Sequence, residues 1–116
     1  MQNKELVDLV AKACDDKRAE DIVIMDMKNV SLIADYFLIC EGTNERQVQA
    51  IARGVKDIAN EQDIDVKRME GFDQARWILV DLGGDIVCHI FHREERNYYN
   101  LEKLWGGDAP QLEVKL

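Results

Sequence analysis

The chain has 116 residues, 23 acidic against 15 basic, a net charge of −8, and 47% hydrophobic content. That length is one domain with a core large enough to need no disulfide staple. The acidity excludes a broad footprint on free nucleic acid, which needs clustered Lys and Arg to displace counterions, and leaves room for a basic protein partner.

Residues 3–16 carry Leu6, Leu9, Val10 and Ala13 at helical spacing, with Asn3 as the expected N-cap. Ile22 to Met25 form a continuous apolar run, as in a strand covered on both faces. Residues 28–34 turn the chain, and Asp35-Tyr36-Phe37-Leu38-Ile39-Cys40 is a second strand stopping at Gly42. Thr43 or Asn44 caps a helix over 45–62, whose stripe is Val48, Ile51, Ala52, Val55, Ile58 and Ala59. Gly54 inside it costs about 1 kcal/mol relative to Ala, which a close approach to a sheet would explain.

Residues 64–69 give a third strand, and 75–82 and 85–92 give two more, joined by Gly83-Gly84 as a tight hairpin. Glu94 to Trp105 is helical, with Tyr98, Leu101, Leu104 and Trp105 on one stripe, ended by Gly106-Gly107. The expected fold is therefore α/β: a single domain over residues 1–106, a mixed sheet of about five strands flanked by helices, and a loose tail at 107–116.

Residues 76–105 hold both tryptophans and both histidines. Along the first of these strands Ile78, Val80 and Leu82 share an apolar face, whereas Trp77, Leu79 and Asp81 share a mixed one. The first face is a core; the second is a surface prepared for a partner. His89 shares Trp77's face if the hairpin is regular.

Catalytic chemistry does not assemble from these residues. His89 and His92 fall on opposite faces of a strand, so they do not jointly ligate a metal. Asp26, Asp35, Asp81 and Asp85 stand at strand ends, where paired acids hold Mg²⁺ in some transferases and where solvated acids are common. Gly83-Gly84-Asp85 precedes a strand rather than a helix, so it is a turn and not a phosphate cradle. Cys14, Cys40 and Cys88 are odd in number, far apart and without a paired motif, as buried free thiols are. No catalytic, cofactor or metal site is expected. The N-terminus is charged too early for a signal peptide, and no run approaches the ~20 apolar residues of a membrane span, so the expected compartment is the cytoplasm.

Several motifs occur in order: Ser31-x-x-x-Asp35-Tyr36-Phe37, Cys40-x-Gly42-Thr43, Gln47-Val48, Glu70-Gly71, Trp77-x-x-x-Asp81-x-Gly83, Asp85-x-x-x-His89-x-Phe91 and Arg96-x-x-Tyr99-x-Leu101-Glu102-x-Leu104-Trp105. With these the chain resembles the RsfS/Iojap (YbeB-like) family of ribosomal silencing factors along nearly its whole length. The resemblance implies a nucleotidyltransferase-like fold without catalysis, and no Gly-Ser dipeptide of the catalytic motif is present. It implies binding to the large ribosomal subunit through ribosomal protein uL-fourteen. Subunit joining would be blocked sterically, and translation repressed under nutrient limitation.

The expected partner-binding residues are Trp77, Asp81, Asp85, His89, Arg96, Tyr99, Glu102 and Trp105. A homodimer meeting through the C-terminal helix is compatible with this role. The competing readings are a metal-dependent nucleotidyl or phosphoryl transferase using Asp81 and Asp85, and a generic homodimeric interaction module.

Overall fold

The computed structural model describes residues 3–29, 34–83, 85–99, 111, 112 and 114. In chain order these form α1 (Asn3–Asp16), β1 (Glu20–Asp26), β2 (Tyr36–Gly42), α2 (Glu45–Glu61), β3 (Arg68–Glu70), β4 (Trp77–Asp81), β5 (Ile86–His92), α3 (Arg93–Tyr99) and β6 (Gln111–Leu112). The strands make one mixed sheet in the order β3-β4-β5-β2-β1-β6. Only β2 and β5 run parallel; the other described pairs are antiparallel. The first eight elements follow the expected order. The sixth strand comes from the segment expected to be loose: Gln111 and Leu112 pair with Met25 and Ile24. The C-terminal half of the expected last helix lies outside the described residues.

The buried face of α1 is Leu6, Val7, Val10, Ala11 and Cys14. This is rotated from the expected stripe, leaving Leu9 and Ala13 half-buried. The reason is that α1 packs on α2 as well as on β1 and β2, so its buried arc centres on Val7, Val10 and Cys14. Asn3 is not the cap: it lies within the helix and its amide donates to Asp35 Oδ2 at 3.0 Å.

Helix α2 is capped by Asn44, whose Oδ1 accepts from the Gln47 N–H at 2.8 Å. Gln47 in turn accepts from the Thr43 N–H at 2.7 Å and donates to Arg18 O at 2.9 Å, fastening the start of α2 to the end of α1. The small residue at Gly54 serves this helix pair rather than the sheet. A Cβ there would meet Lys17 Cγ at 3.3 Å and Ala13 O at 3.6 Å. Strand β3 is shorter than expected; Ile64 and Val66, ahead of it, pack against the core instead.

The sheet separates two apolar clusters. Ile24, Leu38, Cys40, Ile78, Val80, Ile86, Cys88 and Ile90 meet α1 and α2 in the main core. On the opposite face lie Met25, Met27, Ile39 and Phe91, flanked by half-buried Val23, Phe37 and Trp77. Each fully buried large apolar side chain contributes roughly 1.5–3 kcal/mol. The domain measures 33 × 32 × 25 Å.

At the carboxyl end of β2 sits an ion cluster with a buried centre. Glu41 accepts from Arg93 Nε at 3.2 Å and lies 3.4 Å from Arg96 Nη1, while Arg93 also pairs with Glu20. Three elements, β1, β2 and α3, are thereby tied together. Arg96 and Glu41 are both more than nine-tenths buried, and removing one partner of such a pair strands the other charge. Glu41→Ala should therefore cost about 3–5 kcal/mol in urea unfolding; a loss below about 1 kcal/mol would show that the pair does not hold α3 to the sheet.

Candidate protein-interaction site

The hairpin determines what the aromatic face contains. Its register sets Trp77 opposite Phe91, Leu79 opposite His89 and Asp81 opposite Val87. Leu82 N–H donates to Ile86 O at 2.9 Å, and Gly83 takes φ +88° to turn the chain. The doubled glycine therefore does not move His89 off the face of Trp77. Burial along β4 alternates as the sequence predicts, with Ile78 and Val80 buried and Trp77, Leu79 and Asp81 half-exposed. Strand β5 is different: all seven of its residues are buried, so His89 and Phe91 support the face from beneath rather than forming its surface.

The supports are specific. Trp77 Nε1–H donates to His89 Nδ1 at 3.1 Å, and the indole stacks on Phe91 with ring centroids 5.1 Å apart. Phe37 meets His89 edge-on at 4.7 Å. Such pairs add about 0.5–1.5 kcal/mol beyond area burial. Accepting through Nδ1 puts the proton of the neutral imidazole on Nε2, which is buried and has no hydrogen-bond partner among the described residues.

The remaining expected site residues separate. Asp81 ends β4 half-buried, and Asp85 is exposed in the turn, its carbonyl accepting from Asp35 and Tyr36 N–H at 2.8 and 2.9 Å. Arg96 does not reach this face; it is turned inward to Glu41. Tyr99 ends α3, with its side chain outside the described set, and Glu102 and Trp105 lie outside the described residues. Phe37 belongs to the face although sequence reading passed it over. The signal was its position beside Tyr36, whose ring points to the helix side and whose hydroxyl accepts from Lys28 Nζ at 2.9 Å.

Among the described residues no group of three His, Cys, Asp or Glu is placed to hold a metal ion. The three cysteines are free and buried. A hydrogen bond with Cys40, followed by burial, raises the Cys14 thiol, and burial raises that of Cys88, so both stay protonated and unreactive. No described helix is long and apolar enough to cross a membrane.

The model of the family described as "ribosomal silencing factor during starvation", RsfS, matches residues 1–116. The chain belongs to the RsfS family. It is 64% identical over 114 residues to the ribosomal silencing factor RsfS of Bacillus subtilis, covering 98% of this chain and 95% of that one. It is 31% identical over 101 residues to the chloroplastic protein Iojap of Zea mays, covering 87% of this chain and 43% of that one. A crystal structure from Bacillus halodurans, 55% identical, superposes with a TM-score of 0.85 over 97% of this chain and all of that one. In this RsfS-family member, then, the half-exposed tryptophan sits on a rigid sheet face, fixed by a buried histidine.

Burial lowers the pKa of His89 from 6.5 to about 4. The unfolded chain takes up this proton near pH 6.5, whereas the native state refuses it until about pH 4, so native stability falls as pH falls through that window. Between pH 7 and pH 4 the wild-type protein should lose about 3 kcal/mol more than His89→Gln, measured by urea unfolding at each pH. Equal losses in the two proteins would refute a buried neutral imidazole.

Proposed function

We propose that this protein silences ribosomes by occupying space. It binds the large ribosomal subunit through ribosomal protein uL-fourteen and sterically blocks the small subunit from joining, repressing translation in the cytoplasm under nutrient limitation. The observation that supports this most is the Trp77 face. A large aromatic, half-exposed and already held in place by His89 and Phe91, loses little freedom on binding and suits the buried centre of an interface. Asp81, at the other end of the same strand, and Asp85, in the turn beyond it, lie toward the rim, where they would meet Lys or Arg.

Electrostatics supports the same partner. A chain of net charge −8 is drawn to a basic ribosomal protein and repelled by RNA phosphates around it, which disfavours wrong sites. Steric blocking requires no catalysis. It needs a rigid body of appreciable size, and the domain spans more than 30 Å in two directions.

The decisive residue is Trp77. In co-sedimentation with large subunits, Trp77→Ala should weaken binding by about 2 kcal/mol or more, roughly thirtyfold. An unchanged affinity, with an unfolding curve showing the fold intact, would remove Trp77 from the interface.

A further inference from the structure

A groove at the β3 edge lies around the corner from the aromatic face. It has a volume of about 620 Å³ and is lined by Arg53, Lys56, Asp57, Asn60, Met69 and Phe72, between the outer side of α2 and the turn after β3. A second hollow of about 360 Å³ shares Met69 and Phe72 and continues over Gly71, Asp73 and Gln74.

Many of the described cations are paired, although Lys17, Arg18, Arg46 and Lys67 are not. Lys4, Lys12, Lys28, Arg68, Arg76, Arg93 and Arg96 are each within ion-pair distance of a carboxylate. Arg53 and Lys56 are exposed, three apart on α2, and have no ion pair among the described residues. The Arg53 guanidinium instead lies over the Phe72 ring, 5.1 Å from its centroid. Two cations against the single carboxylate of Asp57, beside a half-buried aromatic, leave this groove with a small positive excess on an acidic protein, with a flat surface attached.

The groove is also rigid and joined to the aromatic face. Gln49 Nε2–H donates to Phe72 O at 2.9 Å, fixing the turn to α2. Gly71 has φ +81°, and a Cβ there would collide with the Trp77 carbonyl oxygen, so the turn that carries Phe72 is seated on the backbone of Trp77.

We propose that this groove takes a single-stranded or looped segment of RNA that adjoins the protein partner. Phosphates sit on Arg53 and Lys56, and a base packs against the Phe72–Arg53 surface. The flat Phe72–Arg53 surface favours a nucleobase over an acidic peptide, and Asp57 beside it can accept a hydrogen bond from a ribose 2′-hydroxyl or a base amino group. The inference rests on the reading that this protein docks on the large ribosomal subunit, where RNA surrounds the protein partner. Two phosphate contacts are a local foothold, compatible with an overall charge that opposes a broad one.

Amide chemical-shift mapping with an oligouridylate of about ten nucleotides at low salt tests the groove itself. Shifts should concentrate at Arg53, Lys56, Asn60 and Phe72, and vanish in the Arg53→Gln/Lys56→Gln variant. No shifts, shifts elsewhere, or shifts that survive the double substitution overturn the proposal. Equal shifts with a decaglutamate peptide overturn RNA in favour of an acidic protein. On large subunits the variant should bind about tenfold more weakly, with a slope of log K against log salt shallower by about 1–2, while its affinity for isolated uL-fourteen is unchanged. Unchanged affinity for subunits, or an equal loss on the isolated protein, also overturns it. Wild-type protein that fails to sediment with subunits refutes the docking reading, whereas the oligonucleotide titration still judges the groove.

Discussion

The parallel pairing of β2 with β5 is the constraint on which the rest of the structure depends. Seven consecutive residue pairs, from Tyr36 with Ile86 to Gly42 with His92, form the middle of the sheet. Parallel neighbours cannot be joined by a tight turn, so the intervening chain must cross over. It does so with α2, packed on one face beside α1, and then returns through β3 and β4 to reach β5. That crossover commits Leu38, Cys40, Cys88 and Ile90 to the helix side. It leaves Phe37, Ile39, His89 and Phe91 to build the other face. The aromatic surface is thus a consequence of topology as much as of composition.

Within that surface, one polar contact decides how rigid the exposed part is. A buried imidazole is costly unless its nitrogens are satisfied. Here Trp77 satisfies one of them, and the same hydrogen bond holds the indole in place on the sheet. Burial keeps His89 neutral, and neutrality keeps Nδ1 an acceptor. The fold and the placement of the exposed indole are therefore coupled through a single side chain. The Glu41 cluster does comparable work at the carboxyl end of the same strands, anchoring α3 through the buried pair of Glu41 and Arg96, with the more exposed Arg93 beside it.

Much of this was legible in the sequence because local periodicity carries it. The strict alternation of Trp77 to Leu82 identified core and surface sides of β4, and the stripe of α2 matched all but the half-buried Ile58. Features that depend on distant neighbours were not legible. Arg96 shared a motif with expected contact residues, yet its partners Glu20 and Glu41 lie 76 and 55 residues away. The buried arc of α1 and the role of Gly54 both follow from helix–helix packing, which no single helix reveals. Strand β6 is two residues long, too short to show alternation. His89 was placed on the right face, but its burial depended on strands flanking β5 on both sides.

On the proposed function, a small acidic domain represses translation by occupying the large subunit, with no reaction to perform. Light scattering of subunit joining tests it most directly. Large subunits preincubated with a molar excess of this protein should join small subunits more slowly and to a lower plateau, with the effect vanishing when Trp77→Ala replaces the wild type. Unchanged association in the presence of protein that is demonstrably bound to the large subunit would contradict the account.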